Sequence, residues 1–197
     1  MEHLHSQQFP DLPPDDRDQI GYRRFFRDFL EVAVISILLF LSINIISARI
    51  RVESVSMQPT LYAGNFVVVN KLAYRFSEPS RGDIVVFRYP PDPEQEPYIK
   101  RVIGLPGEQV QISDGKVRID GVTIQEPYLL VDTLQGGGWS VPEDSLFVMG
   151  DNRRNSSDSR SWGFVPIENV IGKAVLIYWP PEKWGLFDMS YAVAAEP

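Results

Sequence analysis

Between Val32 and Ala48 the chain runs for 17 residues, VAVISILLFLSINIISA, without a charge. Wound as an α-helix at about 1.5 Å per residue, this run is roughly 25 Å long, close to the thickness of a bilayer core. Leu30 and Ile50 extend it, and Arg23, Arg24 and Arg27 precede it. Two rival readings are a buried core helix and a cleaved secretory signal. The first is disfavoured because the run is apolar on every face. The second is disfavoured by a long, acidic leading region and by Ile46-Ser47-Ala48, a poor cleavage site. The run therefore reads as an uncleaved anchor. Basic residues before it outnumber Arg49 and Arg51 after it, which predicts a cytoplasmic N-terminus and an exported remainder.

A chain of 197 residues has room for one packed domain beside such an anchor. We expect a polar, proline-bearing lead-in over 1–22, an anchor over 23–50 with its apolar core at about 30–50, and an exported domain over 51–197. The 16 Pro and 14 Gly favour turns over long helices in that domain. Gln109–Ser113 and Lys116–Ile119 alternate apolar with polar residues around Asp114-Gly115, a two-residue hairpin signal, and Asp120-Gly121 repeats it before Val122-Thr123-Ile124. Further short strands are expected at 66–69, 84–87, 98–103, 145–149 and 173–179. The predicted fold is mostly β, a compact antiparallel domain after a single N-terminal transmembrane helix. Gly136-Gly137-Gly138 reads as a mobile loop.

The chemistry open to that domain is narrow. A formal charge of −7 with no basic stripe argues against nucleic acid. No cysteine is present, so thiolate catalysis and thiolate metal sites are unavailable. His3 and His5 are the only histidines and both precede the anchor, which removes a Ser-His-Asp triad and histidine zinc sites from the exported side. The Asp-Thr/Ser-Gly signature of aspartic proteases is missing, and the faint calcium-loop look of Asp151 to Asn155 is spoiled by Arg153, Arg154 and Trp162. No metal and no cofactor are expected.

A serine activated by a lysine remains. Lowering a lysine from about 10.4 to roughly 7–8 disfavours its charged form by about 3–5 kcal/mol, which burial has to supply. Ser113 to Lys116 has Ser-x-x-Lys spacing but sits in a hairpin turn. Two other segments fit better. Ser54-Val55-Ser56-Met57-Gln58-Pro59-Thr60-Leu61 reads as part of the first extended stretch after the anchor, with Ser56 at most about 28 Å of chain beyond Ala48. Tyr98 to Ile103 reads as a strand that puts Lys100 on one face with Tyr98 and Val102, and Arg101 on the other. On spacing alone Lys71 competes with Lys100.

Four blocks taken together resemble the type I signal peptidases, the bacterial leader peptidase family. They are Ser54–Leu61, Arg81–Phe87, YIKRVIGLPGE over 98–108 and GDNRRNSSDSRSWGFVP over 150–166. The resemblance covers roughly residues 23–180 and implies Ser56 as nucleophile and Lys100 as general base. It implies Ser54 and the Ser56 N–H as oxyanion donors, and Ser156 as a hydrogen-bond partner that orients Lys100. Asp158 and Arg160 are implied to brace the loop as an ion pair, supported by Asp151 and Arg153. Val52, Met57, Leu61, Val86, Tyr98 and Ile99 match substrate-pocket positions. The implied activity is removal of signal peptides from exported preproteins after Ala-x-Ala sites. It would take place at membrane lipid, on the outer side of a bacterial-type plasma membrane or a thylakoid membrane. One anchor rather than two precedes Ser56, and Glu53 stands where an apolar residue or Pro is expected.

Two other functions fit parts of the sequence. A membrane-tethered β module that binds extended peptides without catalysis gives no reason to keep Ser54, Ser56, Lys100 and Ser156 together. A self-cleaving LexA-type relative shares the dyad, but the anchor and the lack of a helix-turn-helix oppose it.

Overall fold

The computed structural model describes residues 16–187 apart from 132, 134 and 135, with side chains from Tyr22 onward. His3, His5, most of the expected lead-in and the tail at Ala192-Val193-Ala194 lie outside the described residues. The chain divides into two compact units between Ile43 and Asn44.

The first unit is helical. Helix α1 (Asp16–Ile46) begins ahead of the expected anchor start at 23 and ends before Ala48. It stops there because the next five residues, β1 (Ser47–Arg51), pair antiparallel with β2 (Phe66–Asn70), and a backbone committed to a sheet ladder cannot stay in a helix. Within α1, Tyr22–Ile46 is a 25-residue stretch long and apolar enough to cross a membrane, and its side chains are unburied.

The second unit is built of antiparallel strands. After β2 come the short helix α2 (Ala73–Phe76), β3 (Ile84–Phe87), β4 (Tyr98–Gly104), β5 (Gln109–Ser113), β6 (Lys116–Ile119) and β7 (Val122–Thr123). The series continues with β8 (Gly137–Ser140), β9 (Ser145–Met149), α3 (Ser159–Trp162), β10 (Val165–Pro166), β11 (Val170–Trp179) and β12 (Gly185–Leu186). The larger sheet has the order β1-β2-β11-β3-β4-β9-β10, with β12 added against β11; the smaller has the order β7-β6-β5-β8. All described pairings are antiparallel. The β5–β6 hairpin turns at Asp114 and Gly115, with φ of 52° and 78°; this pair of left-handed residues matches the strand twist and favours Asp-Gly.

Strand β4 organises the core. Ile99 packs into a cluster with Val52, Met57, Leu61 and Val86. Ile103 belongs to a second cluster with Val110, Ile112, Val117 and Phe147. Val102 joins a third with Val85, Phe87, Leu146 and Val148. One strand thus feeds three clusters, and each fully buried aliphatic side chain contributes about 1.5–3 kcal/mol. Where β4 passes toward β5, Gly104 lets the two sheets close on each other: a Cβ there would stand 2.5 Å from Val110 Cγ2 and 3.0 Å from Phe147 Cβ.

Three local expectations change. Residues 54–61 are a run of turns rather than an extended segment. Gln58 N–H donates to Val55 O and Leu61 N–H to Met57 O, while Met57 and Leu61 are drawn fully inside. Gly137 and Gly138 lie in β8 rather than in a loop, paired with Ile112 and Gln111, and Trp139 seats its ring 5.0 Å from Phe147. Strand β11 begins at Val170, three residues before the expected start.

Replacing Gly104 by Ala forces a methyl group into Val110 and Phe147, and overpacking of this kind costs about 1–3 kcal/mol. Urea unfolding of the detergent-solubilised protein should show the unfolding free energy falling by that amount, as a lower midpoint at unchanged slope.

Candidate active site

Two chain segments far apart in sequence meet at Ser56 and Lys100. Lys100 is on β4, paired opposite Val85 in the sheet interior. Ser56 is in the turn after β1, held by a third segment: Asn152 N–H donates to Ser56 O at 3.0 Å and Asn152 Nδ2 donates to Val55 O at 3.1 Å. The Lys100 amine stands 2.7 Å from Ser56 Oγ and donates to Ile99 O at 3.1 Å. Ser56 is 6% exposed and Lys100 4% exposed.

That burial has an electrostatic consequence. Loss of water pulls Lys100 from its ordinary value of 10.5 down to about 8, against the opposing pull of Asp158 and Asp151. The Tyr98 ring centroid, 5.3 Å from the amine, covers another side of it. An amine poised this close to neutrality is able to accept the proton of a hydroxyl in hydrogen-bond contact. Lys71, the alternative on spacing, is exposed and donates to Asn44 O instead.

Asp151 and Arg101 form the ion pair beneath the site. Arg101 Nε and Nη2 donate to the two Asp151 oxygens at 2.8 and 2.7 Å, with both side chains almost fully buried. Burial works against the Arg101 cation, but the hydrogen bonds and charge of Asp151 outweigh it and hold the guanidinium firmly protonated. Thr60 Oγ1 adds a donor to Asp151 Oδ2 at 2.5 Å. Asp158 and Arg160 form the second pair, at 2.7 and 2.8 Å, and Asp158 Oδ2 also accepts from Gly150 N–H at 3.1 Å. Arg153 pairs with Glu126, a residue to which the sequence attached no role. Two more ionic groups lay outside sequence reasoning: Arg81 with Glu108, and Asp83 with Lys173 and Tyr74.

Ser54 Oγ lies 3.1 Å from Ser56 Oγ. Ser156 differs from expectation. Its hydroxyl is buried with no hydrogen-bond partner among the described residues, and the Lys100 amine bonds to Ser56 Oγ and Ile99 O. Ser156 is nonetheless packed against Gly150, whose missing side chain leaves room for it and for the Ser56 carbonyl; an added Cβ would run into both.

An open cleft of about 630 Å³ leads to the pair. Val52, Tyr98 and Ile99 line it, and so do Arg49, Arg51, Glu53 and Glu96. Met57, Leu61 and Val86 sit beneath it, fully buried in the core. No cluster able to hold a metal ion occurs among the described residues.

Two stability measurements check these assignments. Asp151→Asn strands the buried Arg101 charge and should cost about 3–5 kcal/mol in chemical denaturation. Lys100→Met should have the opposite sign. With its folded value depressed, Lys100 binds fewer protons in the folded chain than in the unfolded chain between about pH 8 and 10.5. Its burial therefore penalises the fold fully below pH 8, and the penalty fades as pH rises toward 10.5. A methionine of similar shape removes it, so the variant should be the more stable at pH 7, by about 3 kcal/mol at roughly 1.4 per pH unit. The gap should close in alkali.

Residues 26–179 match the family described as signal peptidase, peptidase S26. A signal peptidase I of Leptolyngbya laminosa is 44% identical over 159 residues, covering 77% of this chain and 78% of that one. A probable signal peptidase I-1 of Synechocystis is 39% identical over 171 residues, covering 82% and 87%. Thylakoidal processing peptidase 1 of Arabidopsis thaliana is 37% identical over 142 residues, covering 67% of this chain and 42% of its own length. The matched span includes both segments that meet at Ser56 and Lys100 and the loop that braces them. The chain belongs to the signal peptidase family, peptidase S26, and is a serine endopeptidase.

Proposed function

We propose that this protein removes N-terminal signal peptides from exported preproteins by a Ser56/Lys100 dyad, cutting after small residues of the Ala-x-Ala type. The observation that carries the reading is the buried amine of Lys100, 2.7 Å from Ser56 Oγ at the floor of an open cleft. Ser56 Oγ attacks the scissile carbonyl while neutral Lys100 takes its proton and passes it to the leaving amine. Water then attacks the acyl-enzyme, with Lys100 acting again as base. The Ser54 hydroxyl and the Ser56 N–H stabilise the oxyanion. Asp151, Arg153, Asp158 and Arg160 hold the loop, and Ser156 packs against Gly150.

The lining of the cleft supports this substrate class. Val52, Tyr98 and Ile99 offer apolar walls, and the buried Met57, Leu61 and Val86 leave no depth for a long side chain, which favours methyl-sized residues. The extended substrate strand gains affinity from its main chain.

We read the Tyr22–Ile46 stretch as a single-pass anchor, with the residues before it cytoplasmic and the catalytic unit on the exported face of a bacterial-type plasma membrane or thylakoid membrane. Its length, its unburied apolar surface and the arginines at 23, 24 and 27 support this.

The test is cleavage of an Ala-x-Ala preprotein by detergent-solubilised protein across pH. Wild type should cut after the second Ala, and Ser56→Ala and Lys100→Ala should each lose activity by about a thousandfold or more. Because the base works unprotonated, the acid limb of kcat/KM should be centred near pH 8, with activity rising into alkali. Wild-type protein that binds such preproteins without cutting them would instead mark a peptide-binding module.

A further inference from the structure

Glu126 lies beyond β7, on the segment that joins β7 to β8 within the smaller sheet, yet its carboxylate reaches the loop that braces Ser56. Both its oxygens accept from Arg153: Oε2 from Nη1 at 3.0 Å and Oε1 from Nη2. The Arg153 side chain is fully buried and that of Glu126 is 7% exposed. Arg153 Nη1 donates also to Thr133 Oγ1 at 2.7 Å, and Nε donates to Gly150 O at 3.1 Å. The Arg153 carbonyl accepts from Arg160 Nη2 at 2.8 Å. Gly150 is thereby gripped at both ends of its peptide, its N–H by Asp158 and its C=O by Arg153. Two residues further on, Asn152 holds the Ser56 carbonyl.

Tyr128 makes the same segment grip a second arginine. Its hydroxyl donates to Glu126 Oε1 at 2.7 Å, and its ring lies under the Arg101 guanidinium at 3.9 Å. Arg101 in turn holds Asp151. An open cavity of about 780 Å³, lined by Lys116, Leu129, Leu130 and Arg154 as well as Glu126, adjoins this segment. The polar contacts to Arg153 and Arg101 tie the segment to the loop.

We infer that Glu126, with Tyr128 beside it, is a positioning element for catalysis: it fixes Arg153, and through Arg153 the Gly150–Asn152 loop that sets Ser56 against Lys100. This rests on the Ser56/Lys100 reading. A buried guanidinium without its carboxylate would turn to the remaining anions, Asp151 and Asp158. A displacement of about 1 Å at a catalytic pair costs on the order of a hundredfold in rate. A carboxylate that only neutralised Arg153 for stability would leave the rate of folded molecules untouched.

The charged and titratable groups facing Lys100 are Asp158, Asp151 and the Tyr98 phenol. Those facing Arg153 are Glu126, Tyr128, Asp151 and Arg101. Burial, and then the Glu126 charge, push Tyr128 far up, so it stays neutral in the working range. Removing the Glu126 charge withdraws a negative group from this network and lets Arg153 compete for Asp151 and Asp158. Both effects disfavour protonated Lys100.

The experiment uses full-length Glu126→Gln and Tyr128→Phe in detergent, with kcat and KM for an Ala-x-Ala preprotein normalised to the folded fraction by circular dichroism. The Lys100 midpoint is followed separately by NMR of isotope-labelled lysine, which needs no turnover. Glu126→Gln should lower kcat by roughly tenfold to a hundredfold, leave KM within about twofold, and move the Lys100 midpoint to lower pH. Tyr128→Phe keeps the ion pair and should lower kcat by about two- to tenfold, the worth of one hydrogen bond; it decides the matter if Glu126→Gln does not fold. Wild-type kcat per folded molecule in the variants overturns the inference. If wild type itself cleaves nothing, the dyad reading fails on its own account, and an unmoved Lys100 midpoint in Glu126→Gln overturns the positioning role as well.

Discussion

The buried pair between Arg101 and Asp151 joins the sheet to the loop on which everything near Ser56 depends. Arg101 is locked by β4, whose neighbours β3 and β9 fix its register, while Asp151 follows directly from the end of β9. Neither charge tolerates such burial alone, so each obliges the other to stay in place. From Asp151 the constraint spreads outward. Asn152 reaches the backbone of the Ser56 turn, Gly150 is held by Asp158 and Arg153, and Thr60 ties the far end of the Ser56 turn back to Asp151. The site is a set of irregular segments pinned to one strand.

Burial of Lys100 is the other half of the arrangement, and it works against the fold. The environment that strips water from the amine also sets the two carboxylates, Asp158 and Asp151, near enough to resist its neutralisation. Both carboxylates already serve arginines, which spends much of their field before it reaches the amine. Paired charges close to Lys100 thus give rigidity without restoring the positive charge that would disable a base.

Much of the fold was legible because its signals are local. Alternation and Asp-Gly turns locate β5, β6 and β7, and the apolar runs at 66–69 and 84–87 locate β2 and β3. What escaped depends on tertiary pairing. Ser47–Arg51 follows an apolar run and carries two arginines, so nothing local separates it from the anchor; only β2 makes it a strand. Gly137 and Gly138 lack side chains to signal a strand, and it is β5 and the Trp139–Phe147 contact that make one. In the site, Ser56 and Lys100 were nameable from motif resemblance, as was the Asp158–Arg160 pair, close in sequence. Glu126 was not, because its partner is 27 residues away and a lone Glu before Pro127 looks like any turn residue. The bond expected from Ser156 to Lys100 is not formed: the amine meets Ser56 Oγ and Ile99 O, and the Ser156 hydroxyl has no partner among the described residues.

Lys100 and Arg101 are consecutive residues pointing to opposite faces of one buried strand, and this has a consequence for how the molecule matures. A slip of β4 by one residue that carried the guanidinium to the nucleophile would turn the amine to the opposite face and put Val102 where Arg101 meets Asp151. Such a chain would set a permanently charged guanidinium beside Ser56 and leave the buried Asp151 without its cation. A misregistered sheet therefore carries two unmatched buried charges, which disfavours it. The juxtaposition of Ser56 and Lys100 thus arrives only with the completed register of β4 in its sheet.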